Sequence, residues 1–339
     1  MSLNNYKKKD LHTHIYDTPD TYIGGTDLIE DVLPIYKKDA IVKQSITYIP
    51  GLYNIYNEIL VNARDQIIRL QQCKSKNPVT IIKIEYDDKT NMWSIYNNGD
   101  GIDIAYHPTE LDEKGKPLHI VEMIFGNLLT SKNYDKDEKK IVGGKNGYGA
   151  KLTNIFSTYF KIDTVDNKRG LRYVQEYTNN MRSKSKAKIT KVKYKSYTKI
   201  SWIADFKRFG IKGYSKDMLA LMMRRIYDLA GTTDPSVSVH FNDKKINFTS
   251  FDKYIRLIQP TCVYESVNER WQIGISSSQD KFEQFSFVNG ISTPKGGIHV
   301  DYIVKQITGK LSAHIKKRHK TDVQESYIKN NIHIFINCI

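Results

Sequence analysis

The 339-residue chain carries 52 Lys and Arg against 37 Asp and Glu, a formal net charge of +15. A balance that basic suits polyanions such as nucleic acid or phosphate esters without requiring one. Cys73, Cys262 and Cys338 are scattered, odd in number and paired with no His at a metal-ligand spacing, which argues against a disulfide framework or zinc site and for reducing, intracellular surroundings. No apolar run approaches the roughly 20 residues that cross a bilayer, and the opening MSLNNYKKKD lacks the apolar core of a secretory signal.

Along the chain, turn signals at Asp17-Thr18-Pro19-Asp20 and Gly24-Gly25 come first. Pro50 and Gly51 then predict a helix start. From Leu52 to Gln71, the residues Leu52, Tyr56, Ile59, Leu60, Ala63 and Ile67 share one side at about 100° per residue, opposite Glu58, Asn62, Asp65 and Arg69. VTIIKIEY and MWSIYNN read as a hairpin turning at 87–91, and VEMIFGNLL as a helix. Residues 130–140 form a polar loop that runs into Gly143-Gly144-Lys145-Asn146-Gly147-Tyr148-Gly149-Ala150-Lys151, and a second amphipathic helix carrying Leu152, Ile155, Phe156 and Tyr159 is expected to follow.

Short strands dominate 161–204. There Arg182, Lys184, Lys186 and Lys188, then Lys191, Lys193 and Lys195, recur at every second position and should share one sheet face, either the wet face of an antiparallel sheet or a DNA groove. MLALMMRRIYDLAG is a helix stopped by Gly231, and SVSVHFNDKKI a hairpin turning at Asn242-Asp243. That closed unit suggests a domain boundary near 250, giving domains 1–250 and 251–339. The second contains strands around WQIGISS and FEQFSFVNG, the helix VDYIVKQITGKLSAHI, a basic cluster at 316–320 and a last strand HIFINCI. Its apolar end suggests that the chain is cut short there.

Hydrolysis of a nucleoside triphosphate needs a base for water, a metal ligand and donors for the phosphates. Glu58 and Asn62, one turn apart, would place a carboxylate beside an amide oxygen, with Asp65 a further turn along. On its own such a stripe is more often a solvated face. The glycines of 143–149 permit close backbone approach, and backbone amides with the positive end of the next helix suit a triphosphate, aided by Lys151. This pattern is neither a P-loop nor a dinucleotide fingerprint. Between the two segments lies Asn97-Asn98-Gly99-Asp100-Gly101, by itself a hairpin end.

In the order E-x-x-x-N, N-x-G-x-G and G-x-x-G-x-G, these segments resemble the GHKL (Bergerat) ATP-binding fold of gyrase, mismatch-repair ATPases, the ATP-dependent heat-shock chaperone and sensor histidine kinases. PDTYIGG, PGLYNIYNEILVNARD, NNGDGI, GGKNGYGAKLTNIFS and FVNGISTPKGGIHVDYIVKQI narrow the likeness to the N-terminal ATPase region of eukaryotic-type DNA topoisomerase II, from about Tyr6 to the last residue. The short N-terminal segment would fit a large DNA virus. The resemblance implies an α/β sandwich followed by a ribosomal-protein-like α/β transducer domain, with ATP and Mg²⁺ as cofactors, and double-stranded DNA and a second copy of the chain as partners.

It also implies roles. Glu58 would be the general base, Asn62 would bind Mg²⁺ and phosphate, and Asn97 would contact the adenine edge. Ser131, Lys132 and Asn133 would meet ribose and phosphates. Gly144, Lys145, Asn146, Gly147, Tyr148, Gly149, Ala150 and Lys151 would follow the phosphate chain. Tyr6 would reach the nucleotide of the partner copy, and Lys316, Lys317, Arg318 and Lys320 would form a DNA-sensing basic loop. Arg64 and Gln66 depart from the small residue and Asn common beside Asp65, Thr18 from an Arg, and Lys132 from a frequent Ser. The family's phosphate-binding Lys would follow shortly after Ile339. The alternatives are a mismatch-repair-type ATPase and a nucleotide-binding chaperone module that does not act on DNA.

Overall fold

The computed structural model describes residues 9–112, 115–128, 148–248 and 250–339. The chain folds into two compact units. The first takes Met1–Ile35, Lys43–Ile226 and Val237–Ile246; the second takes Tyr36–Val42, Tyr227–Ser236 and Asn247–Ile339.

The first unit opens with helix α1 (Leu11–Asp17), capped by Asp10, whose carboxylate accepts from the Thr13 amide at 3.0 Å. Strands β1 (Ile29–Lys37) and β2 (Ala40–Tyr48) pair on their own, and their reversal through Lys38 and Asp39, both at positive φ, falls in the Tyr36–Val42 segment of the second unit. Helix α2 (Pro50–Gln72) starts on a proline whose missing N–H would have gone unpaired in a first turn anyway. Strands β3 (Ile81–Asp87) and β4 (Met92–Asn98) form the expected hairpin. A small pair, β5 (Tyr106–Leu111) and β6 (Pro117–His119), leads into α3 (Ile120–Gly126). After α4 (Gly149–Ile155) come β7 (Ser157–Asp166), β8 (Leu171–Thr178), β9 (Ser183–Lys184), β10 (Lys188–Lys191) and β11 (Tyr197–Ala204). Helix α5 (Lys216–Thr232) and the hairpin β12 (Ser238–Phe241) and β13 (Lys244–Lys245) follow.

Nine strands make one sheet in the order β10-β8-β7-β11-β4-β3-β12-β13, with β9 also on β8. Every pairing is antiparallel except β12 on β3. One face is covered by helices. Tyr56 of α2 lies 4.7 Å ring to ring from Trp93 and 6.3 Å from Trp202, which are opposite one another on β4 and β11. All three are fully buried, and each contributes on the order of 2–3 kcal/mol of apolar transfer. Phe160 and Ile162 of β7 extend that layer.

The second amphipathic helix is shorter than its periodicity suggests. It ends at Ile155, and Tyr159 lies in β7. From Ser157 the burial alternates, with Phe160, Ile162 and Thr164 inside, and a β-branched, aromatic run of period two belongs in a sheet. The lysine row also departs from expectation: only Lys184, Lys188 and Lys191 are in strands, and Lys188 and Lys191, three residues apart in β10, point to opposite faces.

In the second unit, α6 (Phe251–Ile255) precedes β14 (Val263–Asn268), β15 (Trp271–Ser277), β16 (Glu283–Val288), β17 (Ile291–Ser292), α7 (Ile298–His319), α8 (Glu325–Asn330) and β18 (Ile332–Cys338). The sheet order is β14-β15-β18-β16-β17. All seven residues of β18 are buried, because the strand is central and both faces are covered. Ile334, Ile336 and Cys338 pack with Val300, Ile303 and Val304 of α7. Phe335, pointing the other way, joins Phe251, Tyr254 and Phe287. No helix among the described residues is long and apolar enough to cross a membrane.

Candidate nucleotide site

Glu58 and Asn62 lie on α2 as the spacing predicts, Glu58 half-buried and Asn62 exposed. Gly149, first residue of α4, abuts Glu58 so closely that a Cβ there would overlap the carboxylate. The two helices are tied one turn on, where the Thr153 hydroxyl donates to the Ile55 carbonyl at 2.7 Å. Asn154 Nδ2 donates to the Phe125 carbonyl at 3.1 Å, which fixes α4 against α3. The Glu58 carboxyl is held above the usual carboxylate range, first by burial and then by the nearby charge of Asp65.

Lys151, two residues into α4, is buried, and loss of water pushes its ammonium down to about 8. Ala150 is buried beside it. Tyr148 heads the helix, its carbonyl accepting from the Leu152 amide at 2.8 Å.

Asn97 is buried near the end of β4, on the helix-covered face that Trp93 and Ile95 share. Its amide donates to the Asn98 carbonyl at 2.9 Å. Asn98 turns the other way and closes the strand, its Oδ1 accepting from the amides of Thr80 and Ile81. Asp100 accepts from Ser75 at 2.7 Å and Asn77 at 3.1 Å. Gly101, at φ +71°, comes so near the Val165 carbonyl that a Cβ would overlap it.

Two further residues complete this end of the sheet. Asn97 is opposite Thr198 on β11, and Thr198 opposite Thr164 on β7, so three polar side chains form a row across neighbouring strands. Thr164 is fully buried, donates to the Tyr197 carbonyl at 2.7 Å, and lies 3.2 Å from the Thr198 hydroxyl. The sequence signal was a Thr at an inward position of KIDTVD, visible only once that segment is a strand.

Arg64 is buried, and burial pushes its guanidinium down to about 10 while Asp65 opposes the shift and Arg225 reinforces it. It shares its helix face with Asn57, two turns back, whose Oδ1 accepts from Arg225 Nε at 2.7 Å. The substitution beside Asp65 therefore faces the arginine of α5. Tyr6, Ser131, Lys132, Asn133, Gly144, Lys145, Asn146 and Gly147 lie outside the described residues.

The basic cluster belongs to the second unit and is not a loop for most of its length. Lys316, Lys317 and Arg318 fall in the last turn of α7, and Lys320 ends the helix in a left-handed conformation at φ 58°. Cations favour that end of a helix because its carbonyls carry partial negative charge. Lys316 also pairs with Asp322 at 2.8 Å.

A helix pair laid over a mixed sheet, with a carboxylate on one helix, a glycine start on the other and a polar strand end, defines the GHKL ATP-binding class. The ATPase domain of Thermus thermophilus gyrase B shares this fold, with a TM-score of 0.61 at 16% identity over 97% of this chain and 81% of that one. The DNA gyrase B family model matches residues 238–339. Nearer still is the ATPase region of Saccharomyces cerevisiae topoisomerase II, with a TM-score of 0.89 at 40% identity, covering 100% of this chain and 87% of that one. The chain belongs to the family of topoisomerase II ATPase regions. DNA topoisomerase 2 of Acanthamoeba polyphaga mimivirus is 43% identical over 98% of this chain, which spans 26% of that relative. The chain thus spans about a quarter of the length of the curated relatives it matches.

Proposed function

We propose that this chain binds Mg-ATP at the site headed by Glu58 and hydrolyses it, and that two copies close on ATP to gate a DNA duplex within a longer type II topoisomerase. The apposition of Glu58 and Gly149 carries the reading. It puts a candidate base against the end of the glycine-rich segment, where the phosphate chain would run. Partial burial makes the Glu58 carboxylate, once ionised, a better acceptor for the proton of an attacking water than an exposed one.

Asn62 offers one exposed carboxamide oxygen. A single hard oxygen fits Mg²⁺, which keeps waters and substrate phosphates in most of its octahedral positions. The bound ion would neutralise charge on the β- and γ-phosphates. Lys151 would add a cation to the same phosphates, and Asn97, with Thr164 and Thr198, would hold the adenine edge. Ser131, Lys132 and Asn133 would meet the ribose and phosphates, Gly144 to Lys151 the phosphate chain, and Tyr6 the nucleotide of the second copy. Residues 1–250 would be the ATP-binding domain and 251–339 the transducer, with Lys316, Lys317, Arg318 and Lys320 near DNA.

Hydrogen exchange with a non-hydrolysable ATP analogue, with and without Mg²⁺, tests the assignment. Magnesium-dependent protection of 58–62, 97–101 and 148–155 supports it. No binding, or protection confined to other segments, overturns it.

A further inference from the structure

From 177 to 204 the chain holds eight Lys and Arg residues and no Asp or Glu. Among the described residues two of the eight are ion-paired, Lys184 with Glu122 and Lys199 with Glu85. The Arg182 guanidinium lies over the Tyr16 ring at 5.9 Å. Lys186, Lys188, Lys191, Lys193 and Lys195 are all exposed, and none has a carboxylate within ion-pair distance among the described residues.

Their placement is anchored. Strand β10 is the last of the sheet, hydrogen-bonded to β8 alone. Beyond it, the Val192 amide donates to the Gly170 carbonyl at 2.9 Å, and the buried Ser196 hydroxyl accepts from the Asn167 amide at 2.8 Å. The lysines therefore fringe both sides of a fixed edge, with the exposed Tyr194 between Lys193 and Lys195. An edge strand needs a charge or two to repel strand addition. Five cations over ten residues, with no acid to offset them, exceed that need and concentrate positive potential along one line.

We infer that this fringe, Lys186 to Lys195, is a second contact for duplex DNA, gripping the sugar-phosphate backbone without reading bases. An extended run from Lys188 to Lys195 reaches about 25 Å, or about seven base pairs at 3.4 Å each. That is long enough to meet several phosphates. The inference rests on DNA being the partner proposed above, and names a surface separate from Lys316 to Lys320.

The test is fluorescence anisotropy of a labelled 24-base-pair duplex with the whole 339-residue chain, from about 50 to 200 mM salt, the range over which phosphate contacts reveal themselves. Two variants are compared with the parent: one with Lys186, Lys188, Lys191, Lys193 and Lys195 all changed to Gln, the other with Lys316, Lys317 and Lys320 changed to Gln. Each lost phosphate contact removes about 0.9 from the slope of log affinity against log salt. The fringe variant should lose about 2 to 4 from the slope and bind at least about tenfold more weakly at low salt, with circular dichroism, melting temperature and nucleotide affinity unchanged. Unaltered DNA affinity and slope in that variant overturn the inference, as does a loss seen with heparin but not with duplex. A parent chain that binds no duplex at all would instead remove the DNA reading on which the inference rests.

Discussion

Glu58 is under two opposing demands. To accept a proton from water it must be ionised, yet burial and the charge of Asp65 both favour its neutral form. Hydrolysis should therefore fall as pH drops through a raised Glu58 pKa, and Asp65→Asn should move that acid limb to lower pH in a pH-rate profile. Glu58→Gln should keep ATP affinity, slow ADP release at least about a hundredfold and erase the limb. Equal turnover in the variant would remove Glu58 from the chemistry. Gly149 is the matching test, because the methyl of Gly149→Ala must displace the Glu58 carboxylate. Hydrolysis should fall more than nucleotide affinity, and a structure of the variant should find Glu58 rotated. Lys151 gives a third signature. Burial pushes its ammonium down to about 8, and a triphosphate beside it would raise that value, so binding near or above that pH should take up a proton. Above pH 8, affinity should weaken by up to about tenfold per unit until the bound pKa is reached. Calorimetry in buffers of different ionisation enthalpy measures that uptake directly.

At the scale of elements, legibility followed the range of the interaction. Helix α2 was readable because its apolar stripe repeats every turn, and the hairpins β3–β4 and β12–β13 because Asp-Asp and Asn-Asp turns separate alternating runs. The one-turn spacing of Glu58 and Asn62 was equally local. The nearness of Gly149 to Glu58, 91 positions away in the chain, was not, nor was the row Asn97, Thr198 and Thr164, which exists only through cross-strand register. Helix α1 escaped because it is short and mostly polar, and the β1–β2 hairpin because its apolar residues do not alternate, only Ile35, Ile41 and Ile46 being buried. The overlong second helix was a failure of period: Leu152, Ile155, Phe156 and Tyr159 fit a helical stripe, but from Ser157 onward the chain also fits period two, and the sheet claims it. The strand-end turn after β4 carries a stability prediction. Gly101 at φ +71° faces the Val165 backbone, which cannot move aside as a flexible side chain can. Gly101→Ala should cost at least about 1–3 kcal/mol, read from the shift in urea midpoint at constant slope.

For the whole molecule, the proposed gate predicts a concentration-dependent equilibrium. A non-hydrolysable analogue with Mg²⁺ should double the mass found by light scattering, and removing the nucleotide should halve it again, since a ligand shifts association only as far as it prefers the closed form. A chain that stays monomeric at saturating analogue would argue that dimerisation needs segments this one does not contain. The sheet order has a consequence of a different kind, for how the protein is made. In the nine-stranded sheet, β12 on β3 is the one parallel pairing, made across some 157 positions, Ser238 against Ile81. A ribosome adding about 5–20 residues per second emits β3 roughly 8 to 30 seconds before its partner. During that interval the hairpin β3–β4 can form, but the outer edge of β3, IIKIEYD, has no native strand to receive it. The nascent chain thus carries an adhesive border on its way to completion, and a message interrupted before codon 238 should yield aggregates where one read through codon 246 does not.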